Sequence, residues 1–191
     1  MDNEILVEIS ARHVHVTEET FRILFGDDAV LGFKKALSQP GQFVSDKKVN
    51  LIGKKKNIMN VSILGPCRNL NQVEVSKTDA RTLGADAPIR LSGDIEGTES
   101  IIIEGPCGSV TLEQGLMVAK RHVHLDPETA KKLNKSDGEI VNVKLTSEER
   151  SLVFGDVVVR VSEKYRPAVH LDTDEGNAAN INGDTTGLIL E

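Results

Sequence analysis

The sequence predicts a β-rich protein in two halves, and three observations carry that prediction. Aromatic residues make up only 3% of the 191 positions and there is no Trp, so a core must be built from Val, Ile and Leu, the first two of which suit strands. Short apolar runs punctuated by glycines recur at close spacing, as they do in barrels. One phrase also occurs twice, as Ala11-Arg12-His13-Val14-His15-Val16 and as Lys120-Arg121-His122-Val123-His124-Leu125. A chain of this length can bury one large core or two small ones, and repetition favours two.

Taken in order, residues 5–9 read as a strand leading into the first His pair. Thr17 can N-cap a helix over residues 18–25 that Gly26 stops. Residues 47–64 read as a hairpin, with strands at 49–52 and 58–64 joined by the turn 53–57. The lysines of that turn read as solvated surface, with a dock for a phosphate-bearing ligand as the functional alternative. Short strands are expected at 89–91, 100–104, 109–112 and 115–120. After the second pair the pattern returns, with Asp126 as cap, Pro127 at the first helical position and a helix over 128–133. Strands at 139–145, 151–154, 157–161 and 168–171 follow. The pairs begin at residues 13 and 122, an offset of 109, so each unit of strand, His pair and short helix opens roughly half of the chain.

The formal net charge of −6 argues against a nucleic-acid binder, since phosphate backbones select basic surfaces. An anionic small substrate needs a local basic site instead. Cys67 and Cys107 stand in matching Gly-Pro-Cys tripeptides, but Met1-Asp2-Asn3-Glu4 is acidic and no signal-type apolar core follows. The thiols therefore read as reduced, the chain as cytoplasmic, and no run reaches membrane-spanning length.

Four of the five histidines stand in the two repeated phrases. On a strand, residues i and i+2 share a face with Cα atoms about 6.5 Å apart, so each pair can grip one metal ion. Laying residues 71–79 on 166–174 places Val73-Glu74-Val75 on Val169-His170-Leu171 and supplies a third ligand in each half. Two imidazoles with a carboxylate, and three imidazoles, are both sets that zinc uses with a fourth position open, which points to catalysis; iron, manganese, nickel and cobalt accept the same donors. Arg68 follows Gly65-Pro66-Cys67 in an expected turn. It reads either as an exposed turn residue or as a two-pronged holder of phosphate or carboxylate. Cys67 reads as a packed thiol, because no histidine is left over to activate it.

Two other classes stay open on these residues. His122-x-His124 with Glu128 imitates cupin ligand spacing, which would make the chain a metal-dependent oxygenase or isomerase, although Glu128 falls at a helix start. A noncatalytic, metal-stabilised binding module is the other, and it leaves Arg68 and the open coordination unexplained. A dizinc hydrolase is disfavoured because Val16 and Thr17 follow the first pair.

The segments ISARHVHV, GPCRNLNQVEVSKTDA, AKRHVHL and HLDTDEGNAA, in this order over residues 5–180, resemble the phosphate propanoyltransferase family, the phosphotransacylases associated with bacterial microcompartments. That resemblance implies a mainly β fold of two β-barrel domains related by the internal repeat and capped by short α-helices. The first half would span residues 1–110 and the second 111–191, with the N-terminal strand able to pack with the second half. It implies two zinc ions (Zn2+) at the interface of the halves, one held by His13, His15 and Glu74 and the other by His122, His124 and His170. The implied reaction interconverts a short-chain acyl-CoA (acetyl or propanoyl) plus phosphate with acyl phosphate plus CoA. Arg68 would orient phosphate as the catalytic residue, and Ser10 and Asn177, the latter in a loop after His170, would contact coenzyme A, the co-substrate. No nucleic-acid or membrane partner is implied, and a homo-oligomer is compatible with the resemblance. No amphipathic extension precedes the first strand, which weighs against encapsulation in a microcompartment.

Overall fold

A computed structural model describes residues 4–181, 183 and 185–190. Along these residues run β1 (Glu4–Ser10), β2 (His13–His15), α1 (Glu18–Phe25), β3 (Phe33–Ala36), β4 (Phe43–Ile52), β5 (Ile58–Gly65), β6 (Gln72–Val75), α2 (Lys77–Leu83) and β7 (Ile89–Arg90). There follow β8 (Glu99–Glu104), β9 (Ser109–Ala119), β10 (His122–Leu125), α3 (Pro127–Lys132), β11 (Ile140–Leu145), β12 (Leu152–Val161), β13 (Ala168–Asp172), α4 (Thr173–Ala178) and β14 (Thr185–Ile189). No helix among the described residues is long and apolar enough to cross a membrane.

The chain packs as two compact units, one of residues 11–37 and 41–119, the other of the described residues within 1–10, 38–40 and 120–191. In the first unit, strand pairing runs β4-β5-β2-β6-β9-β8 and returns from β8 to β4, a closed six-stranded barrel. Strand β3 adds to β4 and β7 to β9. In the second unit, β1-β13-β10-β12-β11-β14 close into a six-stranded barrel of their own. Among the described residues the fold is thus mainly β, two closed barrels with four short helices.

Both barrels follow one plan. The His-pair strand lies between a parallel neighbour (β5 or β12) and an antiparallel one (β6 or β13). The strand that precedes each His pair in sequence serves the other barrel: β1 pairs with β13 and β14, while β9 pairs with β6 and β8. Each barrel therefore takes one wall strand from the other repeat.

Period-two alternation places the apolar residues. Val14, Val16, Val73, Leu51, Ile63 and Leu116 are fully buried in the first core, and Val123, Leu125, Val143, Leu145, Val159 and Val169 in the second. Burying each such side chain contributes about 1.5–3 kcal/mol. The residues that alternate with them, His13, His15, Glu74, His122, His124 and His170, take the opposite face of the wall. That face is not open to solvent as on a half-buried strand, because His13 and His15 are themselves buried.

Helix α1 has the expected bounds: the Thr17 hydroxyl accepts from the Thr20 amide at 3.1 Å, and Gly26, at φ 91°, ends the helix with its N–H on the Arg22 carbonyl. Helix α3 is capped by Asp126 and carries Pro127 in its first turn as expected. Helices α2 and α4 differ from expectation. Reciprocal capping by Ser76 with Asp79 starts α2 in a segment for which no element was expected, and capping by Asp172 with Glu175 turns the loop expected after His170 into a short helix, so Asn177 lies in α4 rather than in a loop. Two expected strand breaks are also absent. Residues 109–119 form one strand through Gly115 (φ 135°), and residues 152–161 one strand through Asp156 (φ 57°). In each, the ladder to a neighbouring strand shifts register, which bends the strand instead of ending it.

Candidate metal centres

The first centre is set by the β2–β6 ladder, which places His13 opposite Glu74 and His15 opposite Gln72. His13 Nδ1 lies 2.8 Å from the Ala11 carbonyl oxygen, so Nδ1 carries the proton and donates, and Nε2 presents its lone pair. That lone pair faces Glu74 Oε2 at 3.5 Å. A lone pair and a carboxylate oxygen repel at this distance unless a cation, a proton or a metal ion, stands between them. His15 completes the group, and its Nδ1 is buried with no hydrogen-bond partner.

The second centre repeats the frame on β10 and β13, with His122 opposite His170 and His124 opposite Ala168. His122 Nδ1 lies 2.9 Å from the Lys120 carbonyl, the same lock as on His13. His124 Nδ1 and His170 Nε2 are 3.1 Å apart. The His124 ring stacks on Tyr165 with centroids 3.9 Å apart. Across the adjoining ladder Glu8 on β1 is the register partner of His170, and its carboxylate lies 3.7 Å from His170 Nδ1.

Within each triple the donor atoms lie within 4.8 Å of one another. A tetrahedral zinc ion with ligands about 2.1 Å away separates them by roughly 3.4 Å, close to the 3.5 Å and 3.1 Å seen here. The donor chemistry, the facing lone pairs and the orphaned His15 nitrogen all fit a metal ion. Glu128 sits exposed in the first turn of α3 and belongs to neither group.

The centres are electrostatically uneven. Burial opposes charge on Glu74, but the rings of His13 and His15 outweigh it and hold the carboxyl well below the usual carboxylate range. Burial likewise opposes charge on His13; Glu74 and the Ala11 carbonyl overcome that and the charge of Arg68, so His13 stays above its ordinary value. Burial, His13 and Arg68 push His15 well below it, and His124 is pushed down to about 3 by burial, His122 and Arg160. His15 and His124 are therefore neutral near pH 7, the form in which imidazole binds metal.

Local structure explains why the motifs have this form. In each triple a helix N-cap follows two residues after a donor: Thr17 after His15, Ser76 after Glu74, Asp126 after His124 and Asp172 after His170. The arginine shared by the two phrases ties each assembly together. Arg12 Nε lies 2.8 Å from Asp79, and Arg121 Nε 2.7 Å from Glu175, the acids of the two capping boxes.

Arg68 is half-buried beside the first centre, its amide donating to the Val16 carbonyl at 2.9 Å and its guanidinium reaching Ser92 Oγ at 3.4 Å. Ser10 ends β1 opposite Asp172, and Asn177 is exposed on α4; neither belongs to a donor group. Sequence reasoning missed Gln72. This buried amide donates to Glu74 and, at 2.9 Å, to Ser92 Oγ, and accepts from the Gly93 amide at 2.7 Å, so it links the carboxylate ligand to the group that Arg68 touches. Its position two residues before Glu74, on the same strand face, was the available signal.

The family model described as PTAC, phosphate propanoyltransferase, matches residues 6–182. A protein of Alkaliphilus metalliredigens named phosphate propanoyltransferase is 50% identical over 188 residues, covering 98% of this chain and 88% of its own length. Proteins of the same name from Clostridioides difficile and Thermotoga maritima are 49% and 45% identical over 187 residues, each covering 98% of this chain and 89% of its own.

Proposed function

Because the chain belongs to the phosphate propanoyltransferase family, we propose that it interconverts a short-chain acyl-CoA, acetyl or propanoyl, and inorganic phosphate with acyl phosphate and CoA, using two zinc ions. In the forward direction a phosphate oxygen attacks the thioester carbonyl carbon. The carbonyl electron pair moves to oxygen and, on its return, the C–S bond breaks and CoA leaves as its thiolate. His13, His15 and Glu74 would hold one ion, and His122, His124 and His170 the other. Such ions polarise carbonyl and phosphoryl oxygens as Lewis acids.

The chain's own groups do the rest. Arg68 binds phosphate through paired N–H donors and holds it in a reactive orientation, which lowers the barrier by proximity. The same fixed charge stabilises the oxyanion that develops at the attacked carbonyl. Gln72 and Ser92 keep Glu74 and Arg68 in a set relation. Ser10 and Asn177 contact coenzyme A. The observation that carries this reading is Arg68 itself, a half-buried guanidinium that shares Ser92 with Gln72, the amide that grips Glu74.

The test is CoA release from propanoyl-CoA and acetyl-CoA, with and without phosphate, on protein of measured metal content. Phosphate-dependent release that scales with bound zinc is expected. Release without phosphate dependence, or none on the fully loaded protein, refutes the assignment.

A further inference from the structure

We propose that Glu8 is the positioning residue of the three-histidine centre, holding the Nδ1 side of His170 so that Nε2 is turned to the metal. The inference rests on the reading of that triple as a metal centre. It begins from the exchanged strand: β1 runs beside β13 with Glu8 in register with His170, and the carboxylate oxygen Oε2 stands 3.7 Å from His170 Nδ1. The opposite ring nitrogen, Nε2, is the one that faces His124 across 3.1 Å. At 3.7 Å the carboxylate is an ion-pair neighbour rather than a hydrogen-bond acceptor; its charge favours the proton on the Nδ1 edge and so leaves Nε2 as the donor, and a carboxylate on the outer side of the ring commonly accompanies metal-bound histidine.

The carboxylate is itself anchored. Ser38 Oγ donates to the same Oε2 of Glu8. Ser38 is kept there by its neighbour, because the buried Gln39 side chain donates to the Arg166 carbonyl at 3.1 Å and accepts from the Arg166 amide at 3.3 Å. Residues 38–40 belong to the second unit for this reason. A chain of contacts thus runs from Gln39 through Ser38 and Glu8 to His170. The Glu8 side chain is 32% exposed, so solvent screens much of its charge and its main effect is on ring orientation and tautomer.

The other barrel supplies an internal control. There the ligand Glu74 has Met117 of β9 as its register partner, and Met117 is fully buried. Each centre therefore has one carboxylate, as a ligand in one and behind a ligand in the other. Glu8→Met gives the three-histidine centre the neighbour its counterpart already has.

The experiment uses the full chain loaded with zinc, read by elemental analysis and by the rate at which a chelator removes the ions. Wild type holds two ions. In Glu8→Met one of them should be lost about 10–100-fold faster while the other keeps its wild-type rate. Glu8→Gln, which keeps an acceptor and loses the charge, should fall between. In metal-free protein, ring 15N shifts should place the His170 proton on Nδ1 in wild type and move it toward Nε2 in Glu8→Met. Ser38→Ala should act in the same direction more weakly, and it carries the test should Glu8→Met melt far below wild type. Two ions with wild-type chelation kinetics and an unchanged His170 tautomer overturn the positioning role and leave the metal reading standing. A wild-type protein that takes up no zinc overturns the metal reading, and the tautomer shift then decides separately whether Glu8 holds His170.

Discussion

Across the β2–β6 ladder His13 faces Glu74 and His15 faces Gln72; across the β10–β13 ladder His122 faces His170 and His124 faces Ala168. The backbone frame is the same, down to the carbonyl two residues earlier that accepts a hydrogen bond from the first imidazole. The side chains around it diverge. The first centre has a carboxylate donor, an amide that grips it and an arginine nearby. The second has a third imidazole, a stacked tyrosine and a carboxylate one residue further out. Repetition of a barrel wall therefore sets where donors stand, and the residues at neighbouring register positions set the charge and polarity each donor meets. The group with the carboxylate donor is also the one beside Arg68, the arginine proposed to hold phosphate.

The largest effect that would break the comparison is loss of a donor. His13→Ala and His122→Ala should each strip mainly one of two zinc ions, read by elemental analysis, and should lower the melting temperature because site formation is coupled to folding. If either variant keeps both ions and wild-type melting, the pairing of triples with ions is wrong.

Next in size is Arg68. Arg68→Ala should leave metal content and fold intact while lowering turnover about 100-fold or more, the scale for losing one preorganised charge-stabilising donor. Arg68→Lys should rescue only in part, since it keeps the charge and loses the fork. Steady-state kinetics with phosphate varied at saturating acyl-CoA measures this. Wild-type dependence on phosphate in Arg68→Ala would remove the asymmetry between the centres.

Gln72→Ala gives the first centre the residue found at the matching position of the second. It leaves Glu74 without its amide donor, and the ion in that centre should become about 10-fold more labile to chelator, with the three-histidine ion unaffected. Equal lability of both ions would show the amide to be dispensable.

The smallest expected effect concerns pH. In metal-free protein Glu74 is depressed below its ordinary 4.5 and His13 raised above its ordinary 6.5. The pair should therefore stabilise most between those ordinary values. Its contribution is lost as pH falls through the depressed Glu74 value, and lost again as pH rises through the raised His13 value. The difference in melting temperature between wild type and Glu74→Gln, followed across pH, should be widest in that window. A difference that does not change with pH would mean that the two groups do not share a proton.

Much of this was legible in the chain. The donors of both centres could be read because alternation and repetition are local: Val14 and Val123 mark the buried face, and the match of Val73 to Val169 brings Glu74 onto His170. Helix α1 was bounded by Thr17 and Gly26. Helices α2 and α4 were not: six-residue α3 is announced by Asp126 and Pro127, whereas the signal of α2 and α4 lies in two side-chain pairs, Ser76 with Asp79 and Asp172 with Glu175. The breaks expected at 113–114 and 155–156 are bends at Gly115 and Asp156 instead, because a residue that ends a strand and one that bends it are locally alike. Strands β3 and β14 went unread; in β14 Gly187 lies where a Cβ would stand 2.8 Å from the side chains of Val143 and Leu145, a closeness no neighbouring residue in sequence announces.

The sequence by itself determined the types of the grouped donor side chains, their spacing on one strand face, the β-rich core and the connection that carries Arg68, all of which follow from side-chain chemistry and a two-residue period. Only the tertiary structure decided which strand walls which barrel. Strands β1 and β9 each precede a His pair and each pairs into the other repeat's barrel. Ladder hydrogen bonds are made by backbone groups that every strand offers alike, so the choice is settled by burial and connection over the whole chain rather than by any local pattern. That choice alone places Glu8 beside His170 and Met117 beside Glu74, and with them the difference between the two centres.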